Sequence, residues 1–179
     1  MLKLQGRTAV VTGAAGGIGR AIAMALARRG CHLALADIDD AALERTAAEL
    51  TVPGLRVSRH HLDVSDAEAV GAFPGRVTAE HEGVDVLVNN AGVALAGTFE
   101  QVPAADFEWL FGINFWGVVR MTRAFLPLLH QSDDARLVNI SSLFGLIAPP
   151  GKRSMSPANS PSAAFPNPCG TSLAGHASA

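Results

Sequence analysis

Two hydrophobic periods alternate along the first 150 residues of the chain. Short runs of consecutive apolar residues are each followed by a segment in which apolar residues recur every three or four positions. The first pattern is typical of buried strands and the second of amphipathic helices. We therefore predict five strands, at residues 7–11, 31–37, 55–64, 84–92 and 135–142.

Helices are predicted in the segments between the strands, at residues 18–30, 39–50, 65–83 and 104–130. Pro74 and Gly75 are expected to kink the third helix or to split it into two pieces. The fourth helix contains Trp109 and Trp116, seven positions apart, which we place on its core-facing stripe. Strands that alternate with helices pair in parallel through right-handed crossovers, so the expected fold is a doubly wound α/β sheet.

Composition separates the last part of the chain from the rest. With 179 residues, 49% of them hydrophobic, the chain is long enough to bury one sizeable core. Six of the ten prolines stand among the last 31 positions, together with many serines and alanines. The expected organisation is one domain over residues 1–150 and an irregular tail without a core of its own over residues 151–179.

Charge and ligand content argue against several classes of function. The net charge is -2, with both signs spread along the sequence, so no surface for nucleic acid or an anionic membrane is expected. The first residues lack the long apolar segment of a signal peptide or a membrane span, which favours a cytoplasmic protein. Cys31 and Cys169 show no metal-ligand spacing. His60 and His61 are adjacent in a predicted strand and point apart, so no metal site is predicted.

A glycine-rich turn between the first strand and the first helix indicates a nucleotide site. The sequence TGAAGGIG places Gly13, Gly17 and Gly19 in this turn, with Ala15 and Ile18 between them. Glycines let the backbone approach a pyrophosphate closely, and the helix N-terminus offers N–H groups and a positive dipole end. The turn is therefore predicted to bind a dinucleotide.

An acidic residue, Asp37, ends the second predicted strand. Its carboxylate can accept hydrogen bonds from an adenosine ribose and would repel a 2′-phosphate, which favours NAD over NADP as the cofactor. A helix N-cap is the alternative role for Asp37, although Asp39 could equally supply that cap. Both roles remain open at the level of the sequence.

Four motifs in this order resemble the short-chain dehydrogenase/reductase family. They are TGAAGGIG, NNAG at residues 89–92, Asn114 in the long helix, and NISS on the fifth strand. The resemblance covers residues 1–150 and implies a Rossmann-type sheet in strand order 3-2-1-4-5. It also implies hydride transfer between a nicotinamide cofactor and a small alcohol or ketone, and a tendency to form homo-oligomers.

The resemblance assigns further cofactor contacts. It implies that Asp63 and Val64 lie near the adenine, and that Asn90, Ala91 and Gly92 flank the cofactor's ribose. An Asx-rich turn that stabilises the end of the strand is the alternative role for NNAG, and the two roles are compatible.

Of the four catalytic residues that the resemblance implies, the sequence retains two. The Ser that orients the substrate corresponds to Ser142, and the Asn that supports a water relay corresponds to Asn114. The family's proton-donating Tyr and its Lys correspond to Met155 and Asn159. Neither Met nor Asn is an acid of suitable pKa or a cation, and the chain contains no Tyr. Taken alone, Asn114 and Ser142 would be polar residues of a helix face and a strand end.

The sequence after residue 150 suggests a hypothesis about the gene. Codons redrawn from the third base of one residue and the first two bases of the next permit Tyr at Met155 and Lys at Asn159. Loss of a single base around codons 150–152 would leave such a tail and a domain without the family's later strands. A diverged C-terminus or an isoform is the alternative.

We accordingly expect a short-chain dehydrogenase that is catalytically impaired. A non-catalytic NAD-binding module and a non-functional gene product are the alternatives. Without the family's later strands and substrate lid, the sequence identifies no particular substrate.

Overall fold

A parallel sheet of five strands forms the centre of the computed structural model, which describes residues 4–50, 53–97 and 99–142. The strands are β1 (Thr8–Thr12), β2 (His32–Asp37), β3 (Val57–His61), β4 (Val86–Asn89) and β5 (Arg136–Asn139). All neighbours pair in parallel, in the order β3-β2-β1-β4-β5. The predicted doubly wound sheet and its strand order are confirmed.

Helices cover both faces of this sheet. They are α1 (Gly17–Ala27), α2 (Asp40–Glu49), α3 (Ala67–Thr78), α4 (Ala104–Phe111) and α5 (Val118–Leu129), and a π-helical segment (Gly112–Gly117) joins α4 to α5. The helices α1 and α2 pack on one face, against side chains such as Val11 and Leu35. On the other face α3 and α5 pack against Val10 and Leu87. Because strand side chains alternate between the faces, β1 contributes to both apolar layers.

Register aligns the carboxyl ends of the central strands. Thr12 of β1 pairs with Ala36 of β2, and Val11 pairs with Val88 of β4. Because the strands are parallel, the loops that follow them all lie at the same edge of the sheet. Ligands of doubly wound folds bind at this edge, where the strand order reverses.

Two expectations about the helices are wrong: that the third helix is split at Pro74 and Gly75, and that Trp109 and Trp116 face the core. Helix α3 runs through Pro74 without being split, since Val70, Phe73 and Val77 bury one face of it. Tertiary packing of an apolar face outweighs the local cost of a proline.

Trp109 and Trp116 are not core residues, because 49% and 50% of their surfaces are exposed. Each precedes a buried residue, Leu110 and Gly117 respectively. One residue corresponds to about 100° around a helix, so the tryptophans lie beside the buried stripe and not on it. Among the helices in the described ranges, none is both long and apolar enough to cross a bilayer.

Candidate functional site

Two glycines of the turn after β1, Gly13 and Gly19, leave no room for a side chain. Gly13 and Gly17 have φ angles of +65° and +51°, in the left-handed region that favours glycine. A Cβ on Gly19 would lie 2.0 Å from the carbonyl oxygen of Gly13, and a Cβ on Gly13 would lie 2.7 Å from Nδ2 of Asn90. Glycine is therefore required here for close packing between the turn, α1 and the segment after β4.

The N-terminus of α1 has no side-chain cap. Its N-cap residue is Gly16, and no acidic side chain stands in the first turn of the helix. Backbone N–H groups and the positive end of the helix dipole therefore face the cavity side without a carboxylate that would compete with an anion. This arrangement fits a pyrophosphate.

The carboxylate of Asp37 is held by two backbone donors at the end of β2. Its Oδ2 accepts a hydrogen bond from Ala15 N at 2.9 Å, and its Oδ1 accepts one from Asp39 N at 3.1 Å. The N-cap of α2 is Asp39, whose side chain accepts from Ala42 N at 2.9 Å. Asp37 therefore does not cap the helix. Each of its oxygens keeps a lone pair for a further donor.

Thr46 fixes the other side of Ala15. This residue of α2 is 2% exposed, and its hydroxyl donates to the carbonyl oxygen of Ala15 at 3.0 Å. The N–H and C=O of Ala15 are thus both held by side chains, from β2 and α2. Thr46 was not predicted from the sequence, where its local signal is a β-branched polar residue within an Ala-rich helix.

The motif NNAG joins the ends of β1 and β4. The Asn90 side chain donates to the carbonyl oxygens of Thr12 at 2.9 Å and Gly13 at 3.2 Å. In return, Thr12 Oγ1 accepts from the backbone N–H groups of Asn90 and Ala91, both at 3.0 Å. The motif therefore has the strand-end role that was its alternative, and it holds the glycine turn in place.

Asn114 lies in the π-helical segment and is 7% exposed. Its Oδ1 accepts from Val93 N and its Nδ2 donates to Val93 O, both at 2.8 Å. A Cβ on Gly92 would lie 3.3 Å from the same Oδ1. Asn114 therefore pins the segment that follows NNAG. Single π-turns within helices occur frequently at functional sites.

These segments surround a cavity of about 630 Å³. Nine of the predicted cofactor residues line it: Gly13, Ala15, Ile18, Asp37, Asp63, Val64, Asn90, Ala91 and Gly92. Gly17 and Gly19 lie in the first turn of α1 and do not line the cavity. The other lining residues were not predicted from the sequence; they are Gly16, Ile38, Asp39, Ala42, Leu62, Val93, Trp109 and Ile113.

Two of the four positions predicted for the catalytic site, Asn114 and Ser142, lie within the described residues. Asn114 contacts the segment that borders the cavity, and Ser142 stands three positions after β5, at the same edge of the sheet. Met155 and Asn159 lie outside the described residues, as does the tail that begins at residue 151.

His60 of β3 and His81, which follows α3, form a buried polar cluster with Ser58. Ser58 Oγ lies 2.7 Å from Nε2 of His60 and 2.8 Å from Nε2 of His81, whereas His61 is exposed. Burial lowers the pKa of both His60 and His81 to about 4. The carboxylate of Glu80, 3.9 Å from His60 and half exposed, does not offset this burial. Within the described ranges, no group of three or more His, Cys, Asp or Glu side chains could hold a metal ion.

The fold and the cavity at its switch point define an α/β protein of the Rossmann type. The family model for short chain dehydrogenases matches residues 7–156. The chain belongs to the short-chain dehydrogenase/reductase family of oxidoreductases, and the resemblance seen in its motifs is confirmed.

Similar proteins come from several bacteria. SadH of Mycobacterium tuberculosis strain H37Rv is 43% identical over 152 residues, which cover 85% of this chain and 55% of SadH. Oxidoreductase UcpA of Salmonella typhimurium is 40% identical over 153 residues, which cover 85% of this chain and 58% of UcpA.

A solved structure shows the same fold. The crystal structure of a short chain dehydrogenase/reductase from Burkholderia phymatum in complex with NAD matches with a TM-score of 0.86 and 36% identity. The match covers 92% of this chain and 59% of that chain. The present chain therefore spans a little more than half the length of these relatives.

Proposed function

We propose that this chain binds NAD(H) in the cavity at the carboxyl edge of the sheet. The observation that supports this most directly is the position of Asp37, whose fixed carboxylate lines the same cavity as the glycine turn. A similar protein, the Burkholderia phymatum enzyme, binds NAD. Because a carboxylate repels a 2′-phosphate, NAD is the proposed cofactor in preference to NADP.

Each part of NAD has a proposed set of contacts. The pyrophosphate would lie on the glycine turn and the N-terminus of α1, and the adenosine ribose on Asp37. The adenine would lie near Asp63 and Val64. The second ribose would lie along Asn90, Ala91 and Gly92. When bound, the nicotinamide ring would supply the hydride donor or acceptor for an alcohol or ketone substrate.

Catalysis by the chain as it stands is proposed to be strongly impaired. Ser142 would orient a carbonyl oxygen, and Asn114 would hold the segment after NNAG against the cofactor. Reduction of a ketone also needs a proton donor, because negative charge develops on the oxygen in the transition state. Met155 and Asn159 have no proton of suitable pKa and no positive charge to offer there. The proposal is therefore NAD binding without efficient turnover.

Calorimetric titration of the 179-residue chain with NAD and NADP tests the binding, and NADH absorbance with a panel of alcohols and ketones tests turnover. Saturable NAD binding that is tighter than NADP binding, without turnover, is expected. Absence of NAD binding would favour the non-functional gene product. Clear turnover would contradict the claim of impairment.

The hypothesis of a displaced reading frame explains why the family's Tyr and Lys are replaced. The family match ends at residue 156, a few positions after the proposed base loss. Sequencing the gene for Tyr and Lys codons in the displaced frame tests the hypothesis directly. A gene with the restored frame is expected to recover hydride transfer, whereas Met155→Tyr combined with Asn159→Lys is not, since the surrounding tail stays foreign.

The remaining predictions concern the whole protein. We propose a dinucleotide-binding domain over residues 1–150 with an irregular tail over residues 151–179. A cytoplasmic location is likewise proposed, as is homo-oligomer formation that is compromised in this chain. Limited proteolysis and sedimentation velocity test the domain boundary and the oligomeric state.

A further inference from the structure

We propose that Trp109 is the stacking platform for the adenine of the bound cofactor. This inference rests on the proposed binding of NAD(H). Trp109 lies on α4 and lines the cavity, although 49% of its surface is exposed. Ile113 lines the same cavity four positions later. Trp109 of α4 and Ile113 of the π-helical segment therefore make this side of the cavity apolar.

The distribution of polar and apolar residues around the cavity indicates which part of the cofactor meets this wall. The glycine turn and Asp37 supply the groups that fit phosphate and ribose. Ile38 follows Asp37 directly and is 61% exposed, and Leu62 and Val64 follow β3. A flat purine beyond the ribose would lie among these apolar side chains, within the cavity that Trp109 lines.

Stacking also gives a physical reason for an exposed indole at this position. A large aromatic surface in water is unfavourable, and it becomes covered when a base lies against it. Every base has a π-face, and an aromatic side chain under a base contributes by stacking without the need for a hydrogen bond. Trp109 would therefore strengthen binding of the adenosine half of NAD and leave the nicotinamide half unaffected.

The chain supplies a matched control in Trp116. It is 50% exposed, as Trp109 is, but it does not line the cavity. Its ring lies 6.0 Å from the Arg120 guanidinium carbon and 5.2 Å, edge on, from the ring of Phe115. The two tryptophans have nearly equal exposure and differ in their relation to the cavity.

Calorimetry on the full chain measures the affinities for NAD, AMP and nicotinamide mononucleotide. Trp109→Leu is expected to weaken NAD and AMP binding by about 5- to 20-fold, near the lower end of the range for a base stacked on an aromatic ring. Trp109→Phe is expected to keep most of the affinity. Trp116→Leu is expected to bind as the parent chain does. Exposed substitutions of this kind change stability little, and circular dichroism checks that each variant is folded.

Fluorescence gives a second readout, because the chain contains two Trp and no Tyr. In the Trp116→Phe variant the emission comes from Trp109 alone, and saturating AMP is expected to quench it. In the Trp109→Phe variant the emission comes from Trp116, and AMP is expected to leave it unchanged. Nicotinamide mononucleotide should quench neither.

The outcomes separate the two proposals. If the parent chain binds NAD, and Trp109→Leu binds NAD and AMP with the same affinities as the parent chain, the stacking inference is wrong and the proposed function stands. Failure of AMP to quench Trp109 at saturation would overturn the inference in the same way. If the parent chain binds neither NAD nor AMP, both proposals fail.

Discussion

The carboxylate of Asp37 and the backbone N–H of Ala15 form a hydrogen bond of 2.9 Å between the ends of β2 and β1. This bond links the proposed ribose contact to the glycine turn that would hold the pyrophosphate. The turn receives a second support from Thr46 on α2, through the carbonyl oxygen of Ala15. A substitution of Asp37 or Thr46 is therefore expected to alter the position of the glycine turn at Ala15.

Asp37→Asn is expected to weaken NAD binding about tenfold, because hydrogen bonds to a charged acceptor are worth roughly 1.5–3 kcal/mol and become weaker when the charge is removed. The amide oxygen can still accept from Ala15 N, whereas the amide NH2 would face Asp39 N–H, so the fold should be retained with a modest loss of stability. The preference for NAD over NADP should also decrease, since the repulsion of a 2′-phosphate is lost. Calorimetry with both cofactors measures these effects.

Asp40→Ala is the control for net charge, because Asp40 lies on α2 and does not line the cavity. It should leave both affinities unchanged. An unchanged NAD/NADP ratio in Asp37→Asn would contradict the proposed ribose contact.

Gly19→Ala is expected to destabilise the fold by roughly 1–3 kcal/mol and to reduce NAD binding strongly, because overpacking displaces the surrounding backbone. The new Cβ would lie 2.0 Å from the carbonyl oxygen of Gly13. Gly71→Ala, within α3, is the matched variant, since no atom outside its own turn of the helix lies within 4 Å of its Cβ position. It should stabilise the chain by about 0.5–1 kcal/mol. Urea unfolding compares the two, and equal effects would contradict the tight packing of the turn.

Thr46→Val keeps the shape of the side chain and removes the hydroxyl that holds Ala15. The loss of this hydrogen bond is expected to reduce the free energy of unfolding by about 1 kcal/mol. NAD binding should weaken in parallel, because the glycine turn is less well ordered. Thr46→Ser restores the hydroxyl and should recover the NAD affinity, even if it loses some packing. If Val and Ser variants bind NAD equally, Thr46 does not position the turn.

Lowering the pH from 7 to 5 is expected to destabilise the fold through His60 and His81. Burial lowers the pKa of each imidazole from 6.5 to about 4, with smaller effects of Arg76 on His60 and Arg56 on His81. Between pH 6.5 and pH 4 the unfolded chain therefore binds more protons than the folded chain. The free energy of unfolding consequently decreases as the pH is lowered. At pH 5 the loss is on the order of 2 kcal/mol for each histidine.

Urea unfolding at pH 7 and pH 5 measures this dependence. His81→Gln should remove about half of it, whatever its effect on absolute stability. A pH dependence that persists unchanged in His81→Gln would contradict the assignment.

Several features of the fold were predictable because their causes are local. Runs of apolar residues and helical spacing located all five strands, and the glycines marked the turn after β1. Asp37 could be placed at the end of β2 because it follows the apolar run directly. The choice between ribose contact and helix cap could not be made, since both roles use the same carboxylate. The hydrogen bond that Ala42 N donates to the Asp39 carboxylate shows that the cap is Asp39.

The sequence by itself determined the alternation of strands and helices, the family, and the residue types at the edge of the sheet. Tertiary structure decided that Thr46 holds Ala15, that Asn114 pins Val93, and that Trp109 faces the cavity. The first two are contacts between residues of different segments, and the third depends on the rotation of a helix about its axis. Helical periodicity in the sequence predicts which residues share a face of the helix. Only the packing of that helix against the sheet decides whether the face meets the core, the cavity or water.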